Sequence, residues 1–320
     1  SSPEKGTQNR IGRYLALVNY NTNPITSAMF ITATAPNPLI VDLIAKGTNA
    51  SIQITWGQWA LAALLPGLVM LLLMPLVLYA LFPPEIKNTP DAKGMALKEL
   101  DKLGPMKPSE YVTLGVLALM LLMWAGVPAQ LLGPAYDLNA TTTAMIGLSL
   151  LILTGVLEWE DILKAKSAWD TLVWFAALVM MATFLGKLGL IAWFSQSIQT
   201  GITGLGLGWV GATVILVGIY FYSHYFFAST TAHITAMFGA FFAAGVALGA
   251  PPMLLALLLA FSSSLMMSLT HYGTGTAPII FGSGYTTLNE WWAAGAVLSV
   301  VNLAVLVLVG GFWWKLLGYL

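Results

Sequence analysis

The segment SSSLMMSLTHYGTGTAP, Ser262–Pro278, is dense in hydroxyl side chains and ends in a Gly-Thr-Ala-Pro run, yet apolar sequence flanks it on both sides. It holds no Asp, Glu, Lys or Arg, and that absence extends outward from Leu188 to Asn289. A second polar island, HYFFASTTAHIT at His224–Thr235, lies in the same charge-free stretch, which also contains all three histidines, His224, His233 and His271. In hydrocarbon every backbone group must be satisfied internally, so helix broken by Gly and Pro at membrane depth survives only around a polar cavity. Such breaks expose carbonyls that can hold Na⁺ and helix N-terminal amides that attract an anion. Hydroxyls bonding back to their own helix explain one such island. Two islands with this punctuation point to a site.

Composition places the stretch in a membrane. Of 320 residues, 58% are hydrophobic and only 8% are charged, against about 25% charged in a soluble domain, and the mean hydropathy is +0.81. A water-facing surface of that size cannot be covered. Thirteen basic residues balance thirteen acidic ones, so there is no basic field for nucleic acid. With no cysteine, disulfides, thiol catalysis and thiolate metal sites are excluded. The sequence reads as an all-α polytopic membrane protein.

A bilayer core of about 30 Å takes about 20 apolar residues as helix. Runs of that kind cover Trp59–Phe82, Tyr111–Leu132, Thr141–Leu157, Trp169–Gly186 and Ala293–Leu317, while Trp209–Phe281 reads as three or four helical pieces. Trp56, Trp59, Trp169, Trp209, Trp291, Trp292, Trp313 and Trp314 fall at span ends, as an aromatic belt would. Pro83–Glu110 holds five Lys and five acids, with Asp91–Leu103 predicted as a short surface helix, and Glu158–Trp169 reads as an interfacial amphipathic helix. The basic residues put the N-terminal arm (Lys5, Arg10, Arg13), the 83–110 loop and 158–169 on the cytoplasmic side, and the loops near 47–58 and 133–140 outside. Asp42 and Lys187 sit at span ends, where solvation accounts for them. The polar opening SSPEKGTQNR, without a signal core, predicts an upstream portion.

One internal echo stands apart from the islands. TATAP, Thr32–Pro36, recurs as TGTAP, Thr274–Pro278, 242 residues on, each between apolar runs. Interrupted hydrophobic segments in corresponding places are the sequence mark of a secondary-transporter site built from two repeats. On this reading residues 1–82 end the first repeat (a broken helix over 20–46 and a span over 58–82), 83–110 is a cytoplasmic loop, and 111–320 is the second repeat. The second repeat holds a hairpin, the motif Ser229–Thr231, a broken helix around 273–278 and a last span over 291–317. The partner of Ser229–Thr231 in the first repeat would precede residue 1.

The segments TSAMFITATAPNPL (Thr26–Leu39), WDTLVWFAALVMMA (Trp169–Ala182), HYFFASTTAHITAMF (His224–Phe238) and HYGTGTAPIIFGSGY (His271–Tyr285) together make the chain resemble the C-terminal two-thirds of a divalent anion–sodium symporter (DASS) family transporter. The branch it is most similar to is the 2-oxoglutarate/malate translocator type, with its citrate/succinate and tartrate/succinate exchangers. The resemblance implies an inverted-repeat fold with broken helices and re-entrant hairpins, in which two Ser-Asn-Thr motifs and two broken loops form paired Na⁺ clamshells around the carboxylate. Ser229-Thr230-Thr231 matches the second motif, with Thr in place of the central Asn, a departure similar to the exchanger branch that removes an amide from the cation site. Thr274–Pro278 matches the loop opposite it, and Thr34–Asn37 matches the loop of the first repeat. The implied substrate contacts are Thr230, Thr231, Thr276, Ala277, Pro278, Thr34 and Asn37. The implied Na⁺ ligands are Ser229, Thr230, Thr274, Gly275, Thr276, Thr32, Thr34 and Ala35. The family further implies an elevator-like or rocking movement against a dimerising scaffold.

The function expected is therefore a secondary carrier of succinate, malate, 2-oxoglutarate, citrate or tartrate, an exchanger in the inner membrane, homodimeric, with no cofactor beyond an optional Na⁺. A Na⁺-coupled symporter, or a Na⁺/H⁺ or anion carrier on a similar scaffold, is the alternative. The three histidines are either proton-relay groups or neutral hydrogen-bonding partners beside the site. Enzyme readings lack support: no HExxH, GxSxG or phosphate loop occurs. A Ser229–His233 pair on one helix face would have no orienting carboxylate.

Overall fold

The computed structural model describes residues 1–136 and 138–319, apart from the side chains of Pro134 and of ten residues between Ser167 and Gly186. Within the segments read above, Asp137 of the 133–140 loop and the side chains of Asp170, Thr171, Trp174, Phe175, Leu178, Val179 and Ala182 lie outside the described residues. The architecture is all-α, with no β-strand among the described residues. Among them, Trp56–Leu81, Trp209–Phe226, Thr230–Ala247 and Leu288–Leu316 are long and apolar enough to cross a membrane. The chain forms two compact units, one of Ser1–Ile86 with Phe175–Leu320 and one of Lys87–Trp174.

In the first unit, α1 (Gly12–Met29) and α2 (Pro36–Gly47) are separated by a break over 30–35. Phe30 and Thr34 are extended there, and Pro36 restarts the helix from its first position. Helix α3 (Trp56–Leu81) opens on a capping box, with the Thr55 hydroxyl accepting from the Gln58 amide. Its internal Pro66 supplies no N–H to Ala62 O four residues back. The indole of Trp314 donates to that carbonyl instead, at 2.9 Å. Trp59 likewise donates to Ala28 O, in the last turn of α1, at 2.8 Å.

These contacts correct the aromatic-belt expectation in part. Trp59, Trp291 and Trp314 are fully buried core residues, spent on packing and on carbonyls that helix ends and proline leave unpaired. Trp169 and Trp209 are exposed, as a belt requires.

The second unit contains α4 (Ala92–Leu103), α5 (Pro108–Trp124), α6 (Val127–Leu132), α7 (Ala140–Leu153) and α8 (Trp159–Lys164). Helix α4 has no buried residue, as the surface-helix reading of 91–103 expects. The single span expected over Tyr111–Leu132 is instead two helices, because Gly126 adopts φ +72° and Pro128 starts the next turn. The amphipathic helix expected over 158–169 stops at Lys164, and Lys166 already belongs to α9 (Lys166–Lys187).

The first unit continues with α10 (Leu190–Thr203), α11 (Trp209–Tyr222), α12 (Thr230–His233), α13 (Gly239–Ala247) and α14 (Pro252–Leu265). It closes with α15 (Ala277–Gly282), α16 (Leu288–Val305) and α17 (Gly311–Leu316). A π turn over Ile234–Phe238 joins α12 to α13, so Thr230–Ala247 is one helical span, and a second π turn over Leu306–Gly310 joins α16 to α17. Trp209–Phe281 thus resolves into four helical pieces. Helix α14 is buried all round from Leu255 to Leu265, its apolar first turns as a core helix must be, and in its last turn Ser263 bonds back to Leu259 O at 2.7 Å. Gly295 on α16 lets this helix approach the end of α14 closely: a Cβ there would stand 2.5 Å from Ser268 O and 2.8 Å from Leu269 O.

Candidate functional site

Helices α11 and α13 pack on each other, and the chain between them turns through Ser223–Phe226 and an extended run to Ser229. This hairpin tip carries the hydroxyl motif. Ser229 is the N-cap of α12, its Oγ accepting from the Ala232 amide at 3.3 Å. Thr230 is buried and Thr231 half-buried. The π turn that begins three residues past Thr231, at Ile234, has the wider backbone ring often found at functional sites.

The break after α14 runs over 269–276, ahead of α15. It is fastened to the hairpin tip at one carbonyl. Gly273 O accepts from His224 Nε2 at 3.0 Å and from Thr230 Oγ1 at 3.3 Å. Since Nε2 of His224 donates, Nδ1 of a neutral ring is bare and accepts from His233 Nδ1 at 3.2 Å. That leaves His233 Nε2 as an acceptor 3.0 Å from Ser223 Oγ, where it competes with Tyr220 O, 2.8 Å away, for the single Ser223 hydroxyl proton. His233 is held flat between Tyr220 and Phe227, with centroids 4.7 and 4.6 Å away. Tyr272 adds a second fastening, donating to Tyr225 O at 2.9 Å.

The first break is closed by Asn37. Its buried amide donates to Ser27 O at 2.9 Å and Phe30 O at 3.0 Å, the carbonyls left over where α1 ends. Asn37 Oδ1 is buried and has no hydrogen-bond partner among the described residues. Thr32 accepts from the Trp56 indole at 3.3 Å.

Helix α1 connects this break to the other one. Tyr20 donates to Met267 O at 2.7 Å, and Asn23 Nδ2 lies 3.4 Å from Thr276 Oγ1. The Ser27 hydroxyl donates to Asn23 Oδ1 at 3.1 Å.

The structure therefore brings Thr230 to Gly273, one residue from Thr274, and sets Thr276 against α1. Ala277 is buried at the start of α15, with Pro278 exposed beside it. Thr32, Thr34 and Ala35 make no side-chain hydrogen bond to the second island among the described contacts. The side chains of Thr231 and Thr274 have no hydrogen-bond partner there either, and Gly275 is exposed. Sequence reasoning missed Asn23 and Gly273 and left the histidines without partners. Asn23 is one of three Asn in the polar run Asn19–Ser27 of α1, so nothing in sequence singled it out, and nothing in sequence marks a carbonyl. His271 stands apart from the pair, accepting from the Trp292 indole at 3.2 Å. No group of three or more His, Cys, Asp or Glu gathers among the described residues; the junction offers hydroxyls, amides, carbonyls and the two imidazoles.

Two broken helices and a hairpin tip meeting without formal charge, in a multi-pass helical protein, are the architecture of a broken-helix membrane transporter. The model of the family described as the sodium:sulfate symporter transmembrane region matches residues 1–320, and the chain belongs to that family, one of transporters rather than enzymes. It is 50% identical over 318 residues to "Putative malate transporter YflS" of Bacillus subtilis, covering 99% of this chain and 64% of that protein. It is 47% identical to "Dicarboxylate transporter 1, chloroplastic" of Arabidopsis thaliana, covering 98% of this chain and 55% of that protein. It is 38% identical to "Inner membrane protein YbhI" of Escherichia coli, covering 99% of this chain and 64% of that protein. The chain thus spans between about half and two-thirds of the length of these relatives.

Proposed function

We propose that the chain is the part of a secondary active carrier that holds the second substrate half-site, in a protein that exchanges di- or tricarboxylates across the inner membrane by alternating access. The observation that carries this reading is the fastening of the break over 269–276 to the hairpin tip through Gly273 O. It makes a preorganised, charge-free set of hydroxyls and amides beside Thr230, Thr231 and Thr276. Neutral donors bind a carboxylate by several modest bonds rather than one strong ion pair, so that what is bound can also be released. The substrate class comes from the names of the Bacillus and Arabidopsis relatives, malate and dicarboxylate. The division into two repeats, with Thr34 and Asn37 in the first-repeat half-site, and assembly as a homodimer belong to the same proposal; with both Nδ2 protons of Asn37 committed to Ser27 O and Phe30 O, its part there is to hold the break in shape.

A Na⁺-coupled symport is the second reading, favoured by the sodium in the family's description and by the unpartnered Asn37 Oδ1, a hard oxygen of the kind Na⁺ takes. Thermal unfolding of the purified full-length protein, with succinate, malate, 2-oxoglutarate, citrate or tartrate in Na⁺ and in choline, tests both. A ligand at a hundred times its dissociation constant stabilises by about 2.7 kcal/mol. Stabilisation that survives in choline supports exchange, stabilisation confined to Na⁺ supports symport, and none with any carboxylate contradicts the substrate class.

A further inference from the structure

The Asn23–Thr276 contact joins the helix of the first break to the loop of the second, and its hydrogen-bond bookkeeping is incomplete in an informative way. An Asn amide has an acceptor oxygen and two N–H donors. The Ser27 hydroxyl occupies Oδ1 at 3.1 Å, which fixes the amide so that Nδ2 faces Thr276. One Nδ2 proton is directed at Thr276 Oγ1 across 3.4 Å, a long contact. The other Nδ2 proton and the Thr276 hydroxyl proton have no partner among the described contacts. Asn23 is only half-buried and Thr276 is exposed, so neither group is sealed in the core.

We infer that Asn23 and Thr276 form a neutral donor fork, one prong from each broken helix, that grips a single carboxylate of the substrate. This rests on the carrier reading above and names a residue outside the Ser-Thr-Thr and Thr-Ala-Pro motifs. Two donors on neighbouring heavy atoms match the two oxygens of one carboxylate, as the two nitrogens of an Arg do, but without the charge. No Lys or Arg occurs between Leu188 and Asn289 to do this by ion pairing. The long Asn23–Thr276 contact is weak, so trading it for two charge-assisted bonds to an anion is favourable. Because the prongs belong to different breaks, a bound carboxylate also ties the two helices together, and an empty fork lets them part.

The test is calorimetric titration of the purified full-length protein with succinate and malate, for wild type, Asn23→Asp, Asn23→Ala, Thr276→Val and the Asn23→Ala/Thr276→Val double variant. Asn23→Asp keeps the shape while turning the donor into a like-charged acceptor, and binding should vanish. Asn23→Ala and Thr276→Val should each weaken Kd about 10- to 100-fold, the range for one charge-assisted bond. The double variant should fall short of the product of the two, since a fork with one prong already binds poorly. Asn23→Ala also strips the buried Ser27 hydroxyl of its acceptor, so ligand-free melting should fall modestly, and Asn23→Ala/Ser27→Ala, which removes both partners, should restore the melting temperature while leaving binding weak. Wild-type affinity in Asn23→Asp overturns the fork, and if that variant does not fold, wild-type affinity in Asn23→Ala does so. Wild-type protein that binds neither acid overturns the carrier reading and the fork together, an outcome visible before any variant is made.

Discussion

His224 Nε2 donates to Gly273 O across 3.0 Å, joining the tip of the α11–α13 hairpin to a break 49 residues further along the chain. Both partners are buried. The bond makes the hairpin tip and the broken helix one object, so the hydroxyls of Thr230 and the loop ending at Thr276 keep a fixed relation to each other.

Gly273→Ala should break that relation. A Cβ at this position would lie 2.8 Å from His224 Nε2 and 2.9 Å from Thr270 Oγ1, neither of which is the free end of a flexible chain. Overpacking of this kind costs about 1–3 kcal/mol. Thermal unfolding of the full-length protein should show the loss, together with a reduced response to dicarboxylate; an unchanged melting temperature would mean that the loop yields freely.

His224→Phe should be worse than His224→Gln. Phenylalanine fills the space but leaves Gly273 O with Thr230 alone and strips His233 Nδ1 of its acceptor. A buried group left unpaired costs about 1–3 kcal/mol. Glutamine retains an N–H that can reach the carbonyl, and the difference between the two variants, read by denaturation, measures the bond rather than the volume.

Asn37→Leu should loosen the first break. It removes the donors to Ser27 O and Phe30 O at nearly constant volume, for an expected loss of about 1–3 kcal/mol per orphaned carbonyl. Faster hydrogen exchange at Phe30–Ala35, with exchange at Leu255–Leu265 unaltered, is the expected signature.

Trp314 and Pro66 should be coupled. Trp314→Phe leaves Ala62 O without a donor, at about 1–3 kcal/mol. Pro66→Ala restores the amide that α3 itself would offer. The double variant should therefore be less destabilised than the sum of the singles by at least about 0.5 kcal/mol; strict additivity would show that the carbonyl finds water or another donor.

Much of the fold was legible because membrane helices write their length in apolar residues. Span 59–82 was read close to its observed bounds, and the breaks at 30–35 and 269–276 fall where Thr-Ala-Pro and Gly-Thr-Ala-Pro stand. What escaped was set by partners distant in sequence. Trp59 and Trp314 sit at span ends like belt residues, and only the packing shows that they serve Ala28 O and Ala62 O. The bend at Gly126 was hidden because a single left-handed glycine does not interrupt hydropathy. The site was legible as residue types, hydroxyls and histidines without charge. Its wiring was not, because the acceptor that organises it is a glycine carbonyl, and its link to α1 runs through an Asn whose sequence neighbours, Thr22 and Pro24, point to no site.

Counterflow tests the central claim most directly. Full-length protein reconstituted in liposomes preloaded with unlabelled malate should draw in labelled succinate transiently above equilibrium, in choline as well as in Na⁺. Replacing the internal malate with chloride should abolish the uptake. Folded protein that moves none of succinate, malate, 2-oxoglutarate, citrate or tartrate under either condition would contradict the account.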